Sequence, residues 1–347
     1  MDTTTTRKVS AEPTETLPQA AGRTMTAIVR ERYGSADVLH LESVPVPEPG
    51  EREVLVRVGA AGLDRGAWHI EAGLPYLIRI AGYGVRRPKA AGLGTEVAGV
   101  VDEVGAQVTA MRPGDAVYGT CGAAFAEYAV ARADRLAPMP TNVTFEQAAA
   151  VPVSGTTALQ ALRDHGHVEA GQQVLVVGAS GGVGTFAVQI AKAFGAEVTG
   201  VCSAAKVELV RSIGADRVID YTRSDITDDG RRYDLALDIG GNRPLSQLRR
   251  ALTRDGTLVI VGGEGGDRWT GGIHRQLRAM ALSPFVGQRL GTFIATQNSA
   301  DLDALRALIG TGAVTPVVER VVALHEIPDA IRDLAAGHVR GKLVLAP

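Results

Sequence analysis

The sequence is poor in cysteine and contains no long hydrophobic run. Two cysteines among 347 residues cannot build a disulfide framework or a four-cysteine zinc site, so we expect a reducing compartment. Glycines interrupt the apolar stretch of residues 174–194, and no run approaches the roughly 18 to 20 residues that a membrane span requires. We therefore expect a soluble, cytoplasmic protein.

The sequence also lacks an excess of charge of either sign. Lysine and arginine number 36 against 38 aspartates and glutamates. Without a basic surplus, we expect neither nucleic acid nor a membrane as a partner. Residues 1–24 are rich in Thr, Glu, Pro and Ala and lack the apolar centre of a signal peptide, so they are predicted to form a disordered arm.

Glycine and hydrophobic residues, in contrast, are plentiful. The hydrophobic fraction is 45%, enough for the cores of two domains. Between residues 25 and 148, short alternating or β-branched runs such as Val54–Val58 predict a β-rich domain. Pro45–Gly50 and Arg112–Asp115 predict a strand connection and a turn, since proline cannot donate to a central ladder.

From residue 149 to residue 296, apolar strands alternate with helical periodicity. This rhythm predicts βαβ units and a parallel, doubly wound sheet. We expect strands at Val174–Val177, Val198–Val201, Val218–Asp220, Leu235–Ile239, Leu258–Val261 and Phe285–Thr296, and helices at Val183–Phe194 and Ala204–Ile213. A helix at Asp301–Ile309 follows, in the segment of mixed character after residue 296. The β-rich domain, residues 25–148 plus 297–347, is then split around the α/β domain of residues 149–296.

The most informative motif is the run Gly178–Gly184, which lies where a buried strand ends and a helix begins. Glycines at this point let the backbone approach a pyrophosphate, and the helix N-terminus offers free N–H groups and its positive dipole end. The match to the dinucleotide fingerprint is Ala-x-Gly-x-x-Gly, and it assigns cofactor contacts to Ala179, Ser180, Gly181, Gly182, Val183 and Gly184. A tight turn that serves only helix packing is the alternative.

The end of the next strand indicates which dinucleotide is bound. An NAD enzyme places Asp or Glu there for the ribose 2′-hydroxyl, but this chain has Ser203, followed by Lys206. A 2′-phosphate would meet a hydroxyl and a cation instead of a repelling charge, so NADPH is favoured over NADH. The alternative for Lys206 is a solvated lysine in the first turn of a helix.

Several motifs in a fixed order extend this interpretation to nearly all of the chain after Met25. They are Pro45–Glu51, Gly94–Val101, Pro113–Gly119, Phe125–Tyr128, Ser154–Ala158 and Gly341–Leu345. With them the sequence resembles the zinc-independent branch of the medium-chain dehydrogenase/reductase superfamily, which contains quinone oxidoreductases and NADPH-dependent alkenal or enone reductases.

The resemblance implies a GroES-like catalytic domain split around a Rossmann domain, with the nicotinamide in the cleft between them. It implies that Tyr221 joins Ser203 and Lys206 around the 2′-phosphate. Further cofactor contacts are expected from Arg65, Thr157, Gly262 and Lys342. Relatives commonly form homodimers through an edge strand of the Rossmann domain, here residues 285–296.

No metal site is expected. Where the zinc-dependent members of the superfamily carry a cysteine and a histidine, this chain has Asp64 and Thr95, and residues 141–163 hold no cysteine or histidine. The soft and imidazole ligands that zinc prefers are therefore missing.

The expected substrate is an acceptor that spreads the incoming charge itself, a quinone or an α,β-unsaturated carbonyl compound. By the resemblance, the loop with Asp64 and His69 lies beside the nicotinamide, so both are candidate catalytic residues. His69 is the candidate proton donor, with a surface or hydrogen-bonded structural histidine as the alternative. Trp68 and Tyr76 are candidate walls of the substrate pocket, with core packing as the alternative for Trp68. A reductase dedicated to one specialised metabolite and a non-catalytic NADPH-binding protein are the competing hypotheses.

Overall fold

The structure is a computed structural model that describes residues 22–263 and 266–347. Most of the predicted N-terminal arm, residues 1–21, lies outside the described residues. The end of that prediction is wrong, because Thr24 already belongs to the first strand and Arg23 forms an ion pair with Asp102 at 2.8 Å. Pairing with the next strand and this ion pair hold residues 23 and 24 in place.

The chain folds into strands and helices whose bounds are as follows. The strands are β1 Thr24–Val29, β2 His40–Pro45, β3 Glu53–Leu63, β4 Glu96–Val104, β5 Ala116–Thr120, β6 Tyr128–Arg132, β7 Leu136–Pro138, β8 Gln173–Val177, β9 Glu197–Cys202, β10 Arg217–Asp220, β11 Tyr233–Asp238, β12 Leu252–Ile260, β13 Arg289–Thr292, β14 Val318–Val322 and β15 Lys342–Leu345. The α-helices are α1 Arg65–Ala72, α2 Tyr76–Ile78, α3 Phe145–Ala149, α4 Pro152–Gln160, α5 Gly182–Ala193, α6 Val207–Ser212, α7 Leu245–Ala251, α8 Ile273–Leu282, α9 Ser299–Gly310 and α10 Ile327–Ala335.

Six strands form one parallel sheet, in the order β10-β9-β8-β11-β12-β13. Counted along the chain this is 3-2-1-4-5-6, the strand order of a Rossmann fold, and it reverses direction between β8 and β11. Val174–Val177 on the central strand is buried, as expected for a parallel strand covered by helices on both faces. The predicted doubly wound sheet is confirmed.

A second sheet is mixed and takes strands from both ends of the chain. Its seven strands comprise β14-β15-β3-β4-β5-β7, with β6 paired to β3. The last strand, β15, pairs antiparallel with β3, so that Leu343 lies opposite Leu63. This return of the C-terminal segment is the arrangement that the GroES-like resemblance implies, and the domain bounds themselves remain a prediction.

Two local predictions need correction. The strand expected over residues 285–296 is limited to Arg289–Thr292, because Ser283–Phe285 is a turn of 3-10 helix and residues 286–288 are bent. The helix expected at 204–213 begins as a 3-10 turn at Ala204–Lys206 and is α-helical only over Val207–Ser212. Across the described residues, no helix is long and apolar enough to cross a bilayer.

Candidate active site

A cavity of about 770 Å³ lies at the carboxyl ends of β8, β9, β11 and β12. It includes the point where the strand order reverses, which is where ligands bind in open α/β sheets. Its opposite wall comes from the end of β3 and the start of α1, and from residues 334–342. The fold therefore brings together segments that are far apart in sequence.

The glycine-rich turn forms the floor of the cavity. Ser180, Gly181, Gly182 and Val183 line it. Helix α5 begins at Gly182, and within the described residues no side chain caps it, so its first-turn amides remain available to an anion. The predicted turn thus presents free N–H groups to the cavity, where a ligand can bind.

Ala179 and Gly184 lie outside the described cavity lining, and their contacts with a cofactor remain a prediction. Ala179 is buried beside β9, where its Cβ would lie 3.0 Å from a Cβ added to Gly200. A Cβ on Gly184 would lie 2.1 Å from the carbonyl oxygen of Gly178. Both residues let the helix approach the sheet closely, so they support the turn without touching the cavity.

The turn is tied to the C-terminal segment. The N–H of Gly341 donates to the carbonyl oxygen of Ser180 at 2.8 Å. Next to it, the buried ammonium group of Lys342 pairs with the buried carboxylate of Glu96, whose other oxygen accepts the N–H of Val153 at 2.8 Å. Burial raises the pKa of Glu96, and the Lys342 charge opposes that rise. Lys342 lines the cavity, and its carboxylate partner was missed by sequence reasoning.

Ser203, Lys206 and Tyr221 line one end of the cavity together. They follow β9 and β10, and the N–H of Tyr221 donates to the carbonyl oxygen of Cys202 at 3.0 Å. The Lys206 ammonium group donates to the carbonyl oxygens of Val339 at 2.8 Å and Gly337 at 3.2 Å. The alternative of a simply solvated lysine is therefore wrong. Burial lowers the pKa of Lys206.

Asp64 and His69 line the other end of the cavity, at the start of α1. Asp64 caps this helix by accepting the N–H of Ala67 at 2.9 Å, and it also accepts the hydroxyl of Thr95 at 3.2 Å. The Nδ1 of His69 lies 2.9 Å from the carbonyl oxygen of Leu74. A carbonyl only accepts, so Nδ1 carries a proton, and donation from Nε2 requires the imidazolium form.

The remaining predicted cofactor residues also line the cavity. Arg65 does so while its Nη1 donates to the carbonyl oxygen of Leu334 at 2.9 Å. The hydroxyl of Thr157 donates to the carbonyl oxygen of Val153 at 2.7 Å. A Cβ on Gly262 would lie 2.1 Å from the carbonyl oxygen of Ile239, so only glycine fits there.

The two predicted substrate-pocket aromatics, Trp68 and Tyr76, lie outside the described cavity lining, and their contact with a substrate remains a prediction. Trp68 packs against the core of the mixed sheet and contacts the ring of His69, with 4.6 Å between ring centroids. Tyr76 points toward the segment before α8, and its ring meets that of Trp269 edge-on at 5.0 Å. Trp68 thus packs against the core of the mixed sheet, and Tyr76 packs against Trp269.

Asn242 and Arg243 line the cavity and were missed. They follow β11, in a loop without a recognisable motif. Their position after a predicted strand was the available signal, since ligands collect at the carboxyl edge of a parallel sheet. Arg243 is held by Asp225, with 3.2 Å between Nη1 and Oδ2.

The donor set does not fit zinc. Thr95 and Asp64 bond to each other at the two positions where zinc-dependent superfamily members carry ligands. In the part of the chain that the structure describes, no group of three or more His, Cys, Asp or Glu side chains could hold a metal ion. One carboxylate and an alcohol provide none of the imidazole or thiolate ligands that zinc prefers.

Known proteins resemble this chain over nearly its whole length. The alcohol dehydrogenase GroES-like domain family matches residues 50–141, and the zinc-binding dehydrogenase family matches residues 213–345. The chloroplast envelope quinone oxidoreductase homolog of Arabidopsis thaliana is 31% identical, over 94% of this chain and 100% of that protein. The chloroplastic NADPH-dependent alkenal/one oxidoreductase of the same plant is 32% identical, over 98% and 84%.

A solved structure of a known oxidoreductase has the same fold. Quinone oxidoreductase from Escherichia coli, complexed with NADPH, superimposes with a TM-score of 0.78 at 25% identity, covering 93% of this chain and all of that one. The predicted resemblance is confirmed by the fold, by the cavity at the sheet's switch point and by these relatives. The chain belongs to the quinone oxidoreductase branch of the medium-chain dehydrogenase/reductase superfamily, a branch of oxidoreductases.

Proposed function

We propose that this protein reduces quinones or α,β-unsaturated carbonyl compounds with NADPH, by hydride transfer and without a metal. One observation carries the proposal. A single cavity joins the glycine-rich turn to Ser203, Lys206 and Tyr221 at one end and to His69 at the other. The names of the plant relatives and of the Escherichia coli complex support the same activity.

The cavity fits a dinucleotide that carries a 2′-phosphate. The N–H groups at the start of α5 would bind the diphosphate of the cofactor, and glycine at positions 181 and 182 would leave room for it. An ammonium group has three N–H donors, and Lys206 uses two on backbone carbonyls, so the third can meet a phosphate oxygen. Asp64 is the only carboxylate in the described lining, and it belongs to the opposite end.

The chemistry at the opposite end suits an activated acceptor. When bound, NADPH supplies the hydride. With no metal to polarise a carbonyl group, the acceptor must spread the negative charge over a conjugated system. His69 then holds the proton at Nε2 in its imidazolium form and delivers it to the enolate or phenolate oxygen or carbon that develops.

Steady-state oxidation of NADPH and NADH by metal-stripped protein tests this proposal. The acceptors are a panel of quinones, enones, enals and simple ketones. We expect turnover with NADPH on the conjugated acceptors and little with the ketones. Tight NADPH binding without turnover across the whole panel would contradict a general reductase and favour a dedicated substrate or a non-catalytic role.

We also propose a homodimer through β13, which lies at the edge of the parallel sheet. Beside it, the side chains of Phe285 and Ile294 are 84% and 92% exposed. An uncovered strand edge with apolar neighbours favours pairing with a second copy. Sedimentation equilibrium of wild type and Ile294→Asp checks this, and a monomeric wild type would refute it.

The cytoplasm is the proposed location. Cys121 and Cys202 are both unpaired thiols, as a reducing compartment favours. Fractionation of the native host followed by immunodetection is the direct test.

A further inference from the structure

The segment between α1 and β4 carries apolar side chains that are exposed to solvent. Ile80 is 73% exposed and Val85 is 65% exposed, with Leu77 and Tyr83 partly exposed beside them. Trp269, from the loop before α8, is 71% exposed. We call residues 77–89 together with Trp269 the basic apolar surface.

The backbone beneath this surface is anchored. The hydroxyl of Tyr33 lies 2.7 Å from the carbonyl oxygens of both Tyr83 and Gly84, and these two acceptors share its one hydrogen. Arg79 turns inward, donates to the carbonyl oxygen of Gly73 at 2.9 Å and stacks over the rings of Tyr33 and Tyr76. Because the backbone is held in this way, the outward-facing apolar side chains of Ile80 and Val85 stay exposed instead of packing into a core.

Trp269 is joined to the segment by backbone and ring contacts. The N–H of Tyr76 donates to the carbonyl oxygen of Arg268 at 2.8 Å, and the rings of Tyr76 and Trp269 meet edge-on. Two separate parts of the chain therefore build one exposed surface.

The charge of this surface is one-sided. Residues 72–95 contain four basic residues and no Asp or Glu. Arg86, Arg87 and Lys89 are exposed among the apolar side chains. On the Trp269 side, the carboxylate of Asp267 accepts the N–H groups of Trp269 and Thr270 at 2.7 and 2.8 Å. The balanced composition of the whole chain conceals a locally cationic surface.

We propose that the basic apolar surface docks the protein on the surface of an anionic lipid bilayer. An interfacial anchor combines three features. Its aliphatic side chains enter the headgroup boundary, its aromatic rings prefer that boundary, and its lysine or arginine side chains pair with anionic headgroups. A protein partner would need acidic and apolar groups placed to match this surface, and no feature of the surface calls for a partner of defined shape. The bilayer needs only charge and apolar area.

Docking would bring the cavity to the membrane. The surface begins next to Leu74, whose carbonyl oxygen is bound by the cavity-lining His69. On the other side, the cavity-lining Gly263 packs against the backbone of Gly271, two residues from Trp269. Given the proposed function, an apolar quinone dissolved in the bilayer would reach the site without crossing water.

Vesicle co-sedimentation of the full chain, without cofactor or acceptor, tests the docking separately from turnover. Mixed phosphatidylcholine and phosphatidylglycerol vesicles are compared with pure phosphatidylcholine vesicles at low and at physiological salt. We expect binding to the anionic vesicles, weakened by salt. The triple change Arg86→Gln, Arg87→Gln, Lys89→Gln should weaken it roughly 100-fold at low salt, and Ile80→Ser with Val85→Ser should weaken it at both salt concentrations.

The matched control is Arg135→Gln, Arg250→Gln, Arg254→Gln, which removes three exposed charges elsewhere and should bind like wild type. Circular dichroism melting checks that every variant folds. Equal binding to neutral and anionic vesicles, or no effect of either set of changes, would overturn the proposal. So would sedimentation velocity showing that the surface mediates self-association, which the triple change then abolishes.

Discussion

The hydroxyl of Thr95 donates a hydrogen bond to the carboxylate of Asp64 at 3.2 Å, while the other oxygen of Asp64 caps helix α1. The two positions where zinc-dependent members of the superfamily hold their metal are thus bonded to each other. Through the cap, Asp64 also positions the start of α1, which carries Arg65 and His69.

Chelation should leave the enzyme active. After dialysis against a strong zinc chelator, we expect NADPH oxidation with a quinone acceptor to proceed at the original rate, because the donor set does not fit zinc. Metal content measured by mass spectrometry serves as the control. A large loss of rate that added zinc restores would contradict the proposal.

Lys206→Gln should separate NADPH from NADH. Losing a charge-assisted bond to the 2′-phosphate should weaken NADPH binding by about 1.5 to 3 kcal/mol. Titration calorimetry with both cofactors checks this. The contacts of Lys206 with Gly337 and Val339 are lost for both cofactors, so only the difference between them reports on the phosphate.

Lys192→Gln is the matched control, since Lys192 pairs with Asp216 outside the described cavity lining. It should change neither affinity. An equal weakening for NADPH and NADH in Lys206→Gln would remove Lys206 from the 2′-phosphate site.

His69→Phe should lower kcat while NADPH affinity stays close to that of wild type. Loss of a proton donor typically costs roughly 100- to 10,000-fold. We expect a smaller effect, about 10- to 100-fold, because a conjugated acceptor stabilises charge itself. Stopped-flow measurement of NADPH oxidation checks this, with His40→Phe on the exposed β2 as control. Unchanged turnover would make His69 a structural residue.

Removing either member of the Glu96–Lys342 pair should destabilise the protein more than removing both. Both side chains are buried, so Lys342→Met leaves an uncompensated carboxylate, at a cost of about 3 to 5 kcal/mol. Urea unfolding of Glu96→Gln, Lys342→Met and the double variant measures the coupling. Additive losses would show that the pair is not coupled.

Glu71→Gln should change how stability depends on pH. Glu71 is buried, and neither carboxylate oxygen has a hydrogen-bond partner among the described residues. Burial raises its pKa to about 7, opposed by the charges of Arg30 and Arg332 and assisted by that of Asp37. A raised pKa in the folded state means that the group favours folding below its ordinary pKa, and that this contribution is lost as pH rises through about 7.

The unfolding free energy of Glu71→Gln, measured relative to that of wild type, should therefore rise by up to about 3 kcal/mol as the pH is raised from mildly acidic to above neutrality. Urea unfolding across this range measures the difference. A constant difference between the two proteins at every pH would show that Glu71 does not titrate there.

Local patterns in the sequence predicted the parallel sheet and the phosphate-binding turn. The apolar run at Val174–Val177 and the glycines after it could form little else, because their backbone conformations and burial follow from neighbouring residues. Ala179 and Gly184 pack toward the sheet, since a motif does not tell which of its residues face a ligand and which face the sheet.

Contacts between distant segments were beyond local reasoning. Nothing near Lys206 in the sequence indicates that it meets Val339, and nothing near Trp68 shows that its ring turns to the core. Both depend on how the C-terminal segment returns to β3, which is decided by packing across the whole chain.

By itself the sequence determined the alternation of strands and helices in the parallel sheet, the dinucleotide turn and the residue types at the zinc-ligand positions, because each depends on residue types at short spacing. Only the tertiary structure decided which side chains share the cavity, which charges are paired in the interior and where cationic and apolar groups gather on the surface. Those outcomes follow from distances in space, which neither composition nor local periodicity contains.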